Sequence, residues 1–139
     1  MASNVYELRS KSPDSEKITV NLGFIDLGRM DLMVRDGFYA NRADFIRTAV
    51  RNQLERQDDV VRQSMAHRQL KLGLSYYTRQ DLEVARDVGI PLHIQVLGLA
   101  SIASDVTPEL ARAAIASVQV LGAFQASPDV KAALADRIG

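Results

Sequence analysis

The stretch Lys17-Ile18-Thr19-Val20-Asn21-Leu22-Gly23 alternates polar and apolar residues with the period of a half-buried strand. Ile18, Val20 and Leu22 fall on one side, and Lys17, Thr19 and Asn21 on the other. The residues that follow read as helical, and no Asn-Gly turn signal supplies a hairpin partner. A lone strand leaves its N–H and C=O groups unpaired and does not stand by itself. The partner this sequence offers is the same strand from a second chain.

Working outward, Asp26 is the expected cap of a first helix, with Leu27, Met30, Met33 and Val34 on one stripe and Gly37 at its C-terminus. Phe38-Tyr39-Ala40 makes a short connection. A second helix opens at Asn41 as N-cap, with Asp44 three residues on as a variant of the capping box. Phe45, Ile46, Ala49, Val50 and Leu54 keep helical spacing, and Arg42, Arg47, Arg51 and Arg56 lie around the polar side. One strand and two short helices are too small to bury both apolar stripes. Two copies can do so: the strands pair antiparallel, and four helices close over the ribbon. Ile18, Val20, Leu22, Phe45, Ile46, Ala49 and Val50 are then the expected dimer core.

Strand, helix, glycine, short turn and "NRADFIR" together resemble the ribbon-helix-helix family of Arc- and MetJ-type transcriptional repressors, over about residues 17–56. The resemblance implies a dimeric two-stranded ribbon that enters the major groove of double-stranded DNA. Its base readers would be Lys17, Thr19 and Asn21, whose donors and acceptors suit guanine and adenine edges. It also implies phosphate anchoring at the start of the second helix, at Asn41, Arg42 and Ala43, where free N–H groups and the dipole favour an anion. The family often places Pro or an acidic residue just after the strand. Here Gly23-Phe24-Ile25 stands there, consistent with a longer strand and a later helix.

The chain has 139 residues, no cysteine, and 17 basic against 17 acidic side chains. Disulfides and thiolate metal sites are therefore excluded. Zero net charge argues against broad non-specific DNA binding, so any DNA contact is a local constellation. The longest apolar runs are too short and polar for a membrane span, and the N-terminus lacks a signal-peptide core. No membrane association is expected, and the reading is cytoplasmic.

Further along, "QVLG" occurs at Gln95–Gly98 and again at Gln119–Gly122. Thr107-Pro108-Glu109-Leu110 and Ser127-Pro128-Asp129-Val130 follow as matching helix starts: cap, Pro at the first position, acid in the first turn, apolar anchor. A fainter copy precedes them, with Gly73 in the glycine position and Thr78-x-x-Asp81 as cap. Three strand–loop–helix units in series imply parallel strands and a small β-α, solenoid-like repeat. Strands at the ends of such a stack are open edges.

The expected fold is thus α+β. Residues 1–15 form an arm and 16–57 a ribbon-helix-helix for dimerisation and DNA binding. Residues 58–69 connect, as an extension of the second helix or a hinge, and 70–139 form a repeat domain for oligomerisation. His67 and His93 stand in different segments without acidic or nucleophilic neighbours, so no enzyme, metal site or cofactor is expected. Nickel-responsive regulators share the N-terminal fold, but need a cysteine and clustered histidines. Tyr76-Tyr77 could line a ligand site, although one of two neighbouring strand residues is ordinarily core. The function implied is a sequence-specific regulator, acting as a repressor, whose C-terminal domain forms higher homo-oligomers or receives a protein partner. Alternatives are an antitoxin that represses its own operon, and a self-assembling structural protein that uses the N-terminal fold only to dimerise.

Overall fold

The computed structural model describes residues 15–139, so the expected arm, Ser15 apart, lies outside the described residues. The chain divides into two compact units, Met1–Val61 and Arg62–Gly139.

In the first unit, residues 15–23 hold no regular secondary structure, so the strand expected at 17–22 is not formed within the single chain, and they lead into α1, Phe24–Arg35. Asp26 is not its cap. The helix starts directly behind Gly23, whose backbone takes the N-cap position with no side-chain bond, and Asp26 sits inside the first turn. There its charge still favours the positive helix end. The later start suggested by Gly23-Phe24-Ile25 does not occur, because Phe24 and Ile25 are already helical.

α1 ends as its glycine requires. Gly37 has φ +85°, its N–H donates to Val34, and the Phe38 N–H reaches back to Met33. These are the paired bonds of a Schellman motif, in which a left-handed residue lets the chain turn back on the last carbonyls. α2 runs Arg42–Arg56 behind Asn41, whose Oδ1 accepts from the Asp44 N–H at 2.8 Å. The Asp44 carboxylate accepts from the Ala40 N–H at 2.9 Å, one residue before the box expected from sequence. α3, Asp58–Arg68, follows after the single residue Gln57. The connecting segment is therefore helical, and the boundary between the two units falls within it.

The second unit contains β1 (Lys71–Tyr77), α4 (Arg79–Val88), β2 (Leu92–Ile102), α5 (Pro108–Ala114), β3 (Ile115–Gln125), α6 (Pro128–Ala133) and a 3-10 turn at Ala135–Arg137. The strands form one parallel sheet in the order β1-β2-β3. Each helix starts on the hydroxyl expected from its sequence. The Thr78, Thr107 and Ser127 side chains accept from the N–H groups of Asp81, Leu110 and Val130 at 3.1, 3.2 and 3.2 Å. Asp81 completes a capping box by accepting from the Thr78 N–H at 2.9 Å.

α4 packs beside α5, and α5 beside α6. Leu82 and Ala85 of α4 share one buried cluster with Leu110, Ala111 and Ala114 of α5, and with Val130 and Leu134. The sheet contributes Ile94, Val96, Ala100 and Ile102 from β2, and Ile115 and Val118 from β3. These β2 residues alternate with the half-buried Gln95, Leu97, Leu99 and Ser101. The helices thus cover one face of the sheet. On the other, Leu72, Leu74 and Tyr76 of β1 are exposed, an unusual state for a parallel sheet, whose faces are ordinarily both covered.

The pairing sets the two "QVLG" segments side by side, Gln95 opposite Gln119 and Gly98 opposite Gly122, and puts Gly73 opposite Gly98. All three glycines have positive φ: +129°, +138° and +117°. A Cβ on Gly98 would lie 2.3 Å from the Gly73 carbonyl oxygen, and one on Gly122 would lie 2.0 Å from that of Gly98. A glycine in a strand often marks close backbone approach, and here the approach repeats across the sheet.

Candidate nucleic-acid interface

Lys17, Thr19 and Asn21 are exposed on the segment ahead of α1. The alternate residues that a solitary chain would be expected to bury are exposed as well: Ile18 by 77%, Val20 by 67% and Leu22 by 41%. The two helices tell the same story. Met30 is the one buried hydrophobic side chain among the described residues of this unit, while Ile46, Val50 and Leu54 form an exposed stripe along α2. Phe45 is half-buried and meets Tyr39 edge to face, with ring centroids 4.9 Å apart. Ala49 is exposed. Every residue expected in the dimer core is thus exposed or half-buried in the single chain. Apolar surface of this extent, on a strand and a helix together, marks an interaction face.

At the other end of the candidate interface, the first intrahelical bond of α2 runs from the Phe45 N–H to the Asn41 carbonyl. Arg42 and Ala43 precede it, so their N–H groups belong to the set that a helix N-terminus leaves without an intrahelical acceptor. The Arg42 side chain is engaged within the unit. Its Nε and Nη2 donate to the two Asp31 oxygens, both at 2.8 Å, in a bidentate pair that ties α2 to α1. A phosphate at residues 41–43 would therefore rest on backbone donors and the helix dipole. The Arg42 guanidinium orients the helix end. Asp31 carried no signal in the sequence, since its partner lies 11 positions away on another helix.

The same pair carries a pH prediction. The hydrogen bond from Arg42 holds the Asp31 carboxyl below its ordinary 3.8. Asp81 is lowered by the Thr78 backbone and side chain, and Asp136 by the Arg112 side chain, which lies 2.9 Å away. A carboxyl whose folded value is depressed adds stability above its unfolded value and loses it as pH falls through the folded value. The urea midpoint is therefore expected to hold down to about pH 4 and to fall below it. Asp31→Asn should remove part of that acid dependence from the N-terminal unit. All three groups are exposed, so each effect is small, and a midpoint that rises on acidification would contradict the assignment.

The sheet gives His93 a hydroxyl neighbour that its sequence position did not show. His93 Nδ1 lies 2.8 Å from Ser117 Oγ on the neighbouring strand, and His67 is on α3. Among the described residues no group of three or more His, Asp or Glu could hold a metal ion, and no helix is long and apolar enough to cross a membrane. Tyr77 is half-buried against the core, whereas Tyr76 is exposed.

Comparison with known families turns this geometry into an assignment. The model of the ribbon-helix-helix transcriptional regulator family matches residues 13–131. The chain belongs to that family. The match runs well past the ribbon-helix-helix itself and takes in both units, so the sheet of the C-terminal unit is part of the family pattern. No curated protein and no solved structure matches the chain significantly. Members of the ribbon-helix-helix family are DNA-binding transcriptional regulators, and the match gives this chain the same broad role.

Proposed function

We propose that the protein is a dimeric, sequence-specific repressor that reads the major groove with a ribbon made of residues 17–22 from two chains. The observation that carries this reading is the N-terminal unit itself. It leaves Ile18, Val20 and Leu22 bare, and likewise the Ile46, Val50 and Leu54 stripe of α2. A second copy completes both at once, and the pairing turns Lys17, Thr19 and Asn21 outward as a set repeated by the two-fold axis. Asn matches adenine by a bidentate pair, Lys matches guanine O6 and N7, and Thr offers a hydroxyl and a methyl. Phosphate contacts at Asn41, Arg42 and Ala43 would fix the ribbon's register on the duplex without reading sequence.

Zero net charge leaves little general attraction to DNA. Affinity can instead come from several ribbons bound at once, which raises the effective concentration of each at a neighbouring half-site. The C-terminal unit is the element that would join dimers in this way. An antitoxin role is less well supported, because residues 70–139 are a folded sheet and helices rather than a short tail.

The test is fluorescence anisotropy on the DNA upstream of the protein's own gene against a scrambled duplex, followed if necessary by selection from random sequence. Each lost base contact costs about 1–3 kcal/mol. Thr19→Ala/Asn21→Ala should therefore abolish the preference for the selected site while leaving the salt-sensitive residual binding in place. A double variant with unchanged sequence preference would remove the ribbon from the reading role.

A further inference from the structure

We propose that chains add to one another edge to edge. The outer edge of β3 in one copy takes β1 of the next, parallel, in the register that already joins β1 to β2 and β2 to β3. The proposal deepens the reading of the C-terminal unit as an assembly module and rests on it.

The glycine ladder is the first argument. Gly98 must be glycine because the Gly73 carbonyl stands where its Cβ would be, and Gly122 because the Gly98 carbonyl does. Each is constrained by the strand before it. Gly73 shares their backbone conformation, with φ +129°, yet no atom within 4 Å would meet its Cβ. Among the described residues no strand stands where it would crowd Gly73. A second copy supplies one: its Gly122 carbonyl, placed on β1 as Gly98 is placed beneath β3, continues the ladder.

The two edges also match in extent. β1 pairs Lys71–Tyr77 with Val96–Ile102, and Val96–Ser101 pair in turn with Val120–Gln125. The opposite side of β3 is partly occupied. The chain's own tail covers its beginning through the bridge Val118↔Ile138, with the Gly139 N–H donating to Val118 at 2.9 Å. Among the described residues no strand pairs with this side beyond Val118. In that register Lys71–Ser75 of an added β1 would face Val120–Phe124. β1 itself has neither proline nor any charge besides Lys71 to blunt its edge, the devices by which exposed edges are ordinarily protected.

Side chains continue across the joint. Leu72, Leu97 and Leu121 lie in one row on the uncovered face of the sheet. Leu97, flanked on both sides, is half-buried, whereas the end members Leu72 and Leu121 are 75% and 51% exposed. Addition of a copy sets Leu121 beside Leu72 and makes both into interior members of the row. On the helix side, α4 has α5 as neighbour and leaves Val84 and Val88, one turn apart, exposed at the same end of the stack. The incoming α6 would lie beside it as α5 lies beside α4. Such a contact joins two different surfaces, so it propagates as a filament or closes into a ring, unlike the two-fold ribbon contact.

Sedimentation of the full chain over a range of concentrations tests this, with Leu72→Glu and Leu72→Glu/Leu121→Lys as variants and far-UV circular dichroism as the folding check. Wild type is expected above the mass of two 15.3 kDa chains and to grow with concentration. Leu72→Glu should reduce it to two chains. The added lysine meets the new carboxylate only across the proposed joint, so the double variant should restore the larger species. Gly73→Ala, which meets no atom within its own chain, should also disperse it. Wild type confined to two chains at every concentration would overturn the proposal, as would dispersal by Leu72→Glu that Leu121→Lys fails to rescue, the signature of β1 pairing antiparallel with itself. If Leu72→Glu instead yields single chains, the edge contact stands and the ribbon dimer is what fails.

Discussion

Gly98→Ala is expected to destabilise the C-terminal unit severely. The added methyl has no direction in which to relax, because the atom 2.3 Å away is a backbone oxygen of β1, held by the pairing on that strand. An L-residue at φ +138° adds strain of its own, roughly 1–3 kcal/mol for so sparsely populated a conformation. Relieving the clash means separating β1 from β2, which sacrifices the hydrogen bonds around Gly73. The total should reach about 4 kcal/mol or more, a large share of the 5–15 kcal/mol that stabilises a typical domain. Gly122→Ala should behave alike, with its obstacle at 2.0 Å. Gly73→Ala is the internal control, since it carries the strain without the clash. Urea unfolding of the three variants checks the order, and a Gly98→Ala variant within about 1 kcal/mol of wild type would show that the strands are not so closely apposed.

Val20→Asp is the second large effect, and it separates a monomer from a dimer. In a lone chain Val20 is 67% exposed, so the substitution would fall within the roughly ±0.5 kcal/mol of ordinary surface changes. In the proposed ribbon it would be buried twice, once from each chain. Burying a valine contributes about 1.5–3 kcal/mol, so two of them account for roughly 3–6 kcal/mol of association, a factor on the order of 10²–10⁴ in Kd. The buried carboxylates add a further penalty unless they are protonated. Loss of the two-chain species and of specific DNA binding is the expected outcome. A variant that dimerises and binds as wild type does would place the dimer seam elsewhere than on residues 17–22.

Much of this chain could be read from its residues because the relevant chemistry is local. Asn41, Thr78, Thr107 and Ser127 cap helices by accepting an N–H three positions on, and Gly37 ends one through bonds that span five residues at most. Asp26 misled for the same reason. It has a cap's chemistry, but Phe24 and Ile25 are already helical, and side-chain type does not say where the first turn begins. The family resemblance covered only the N-terminal third, because its motif is a run of adjacent residues. The family match to residue 131 draws on a pattern spread over the whole chain.

Alternation in residues 17–22, the glycine-ended helix and the repeated QVLG thus pointed by themselves to the ribbon-helix-helix family and to strands that begin alike, and the family match bears out the first. Long-range placement supplied the remainder. The Arg42–Asp31 pair joins residues 11 apart, and the sheet sets Gly122 on Gly98 across a whole strand–helix unit. No sequence period says that a carbonyl will stand 2.0 Å from an absent Cβ. That distance comes from how closely parallel strands approach once the helices are packed on them. Nor does the period say which edges stay open. The tail reaches β3 at Ile115 and Val118, and beyond them the described residues hold no further strand to set against that side.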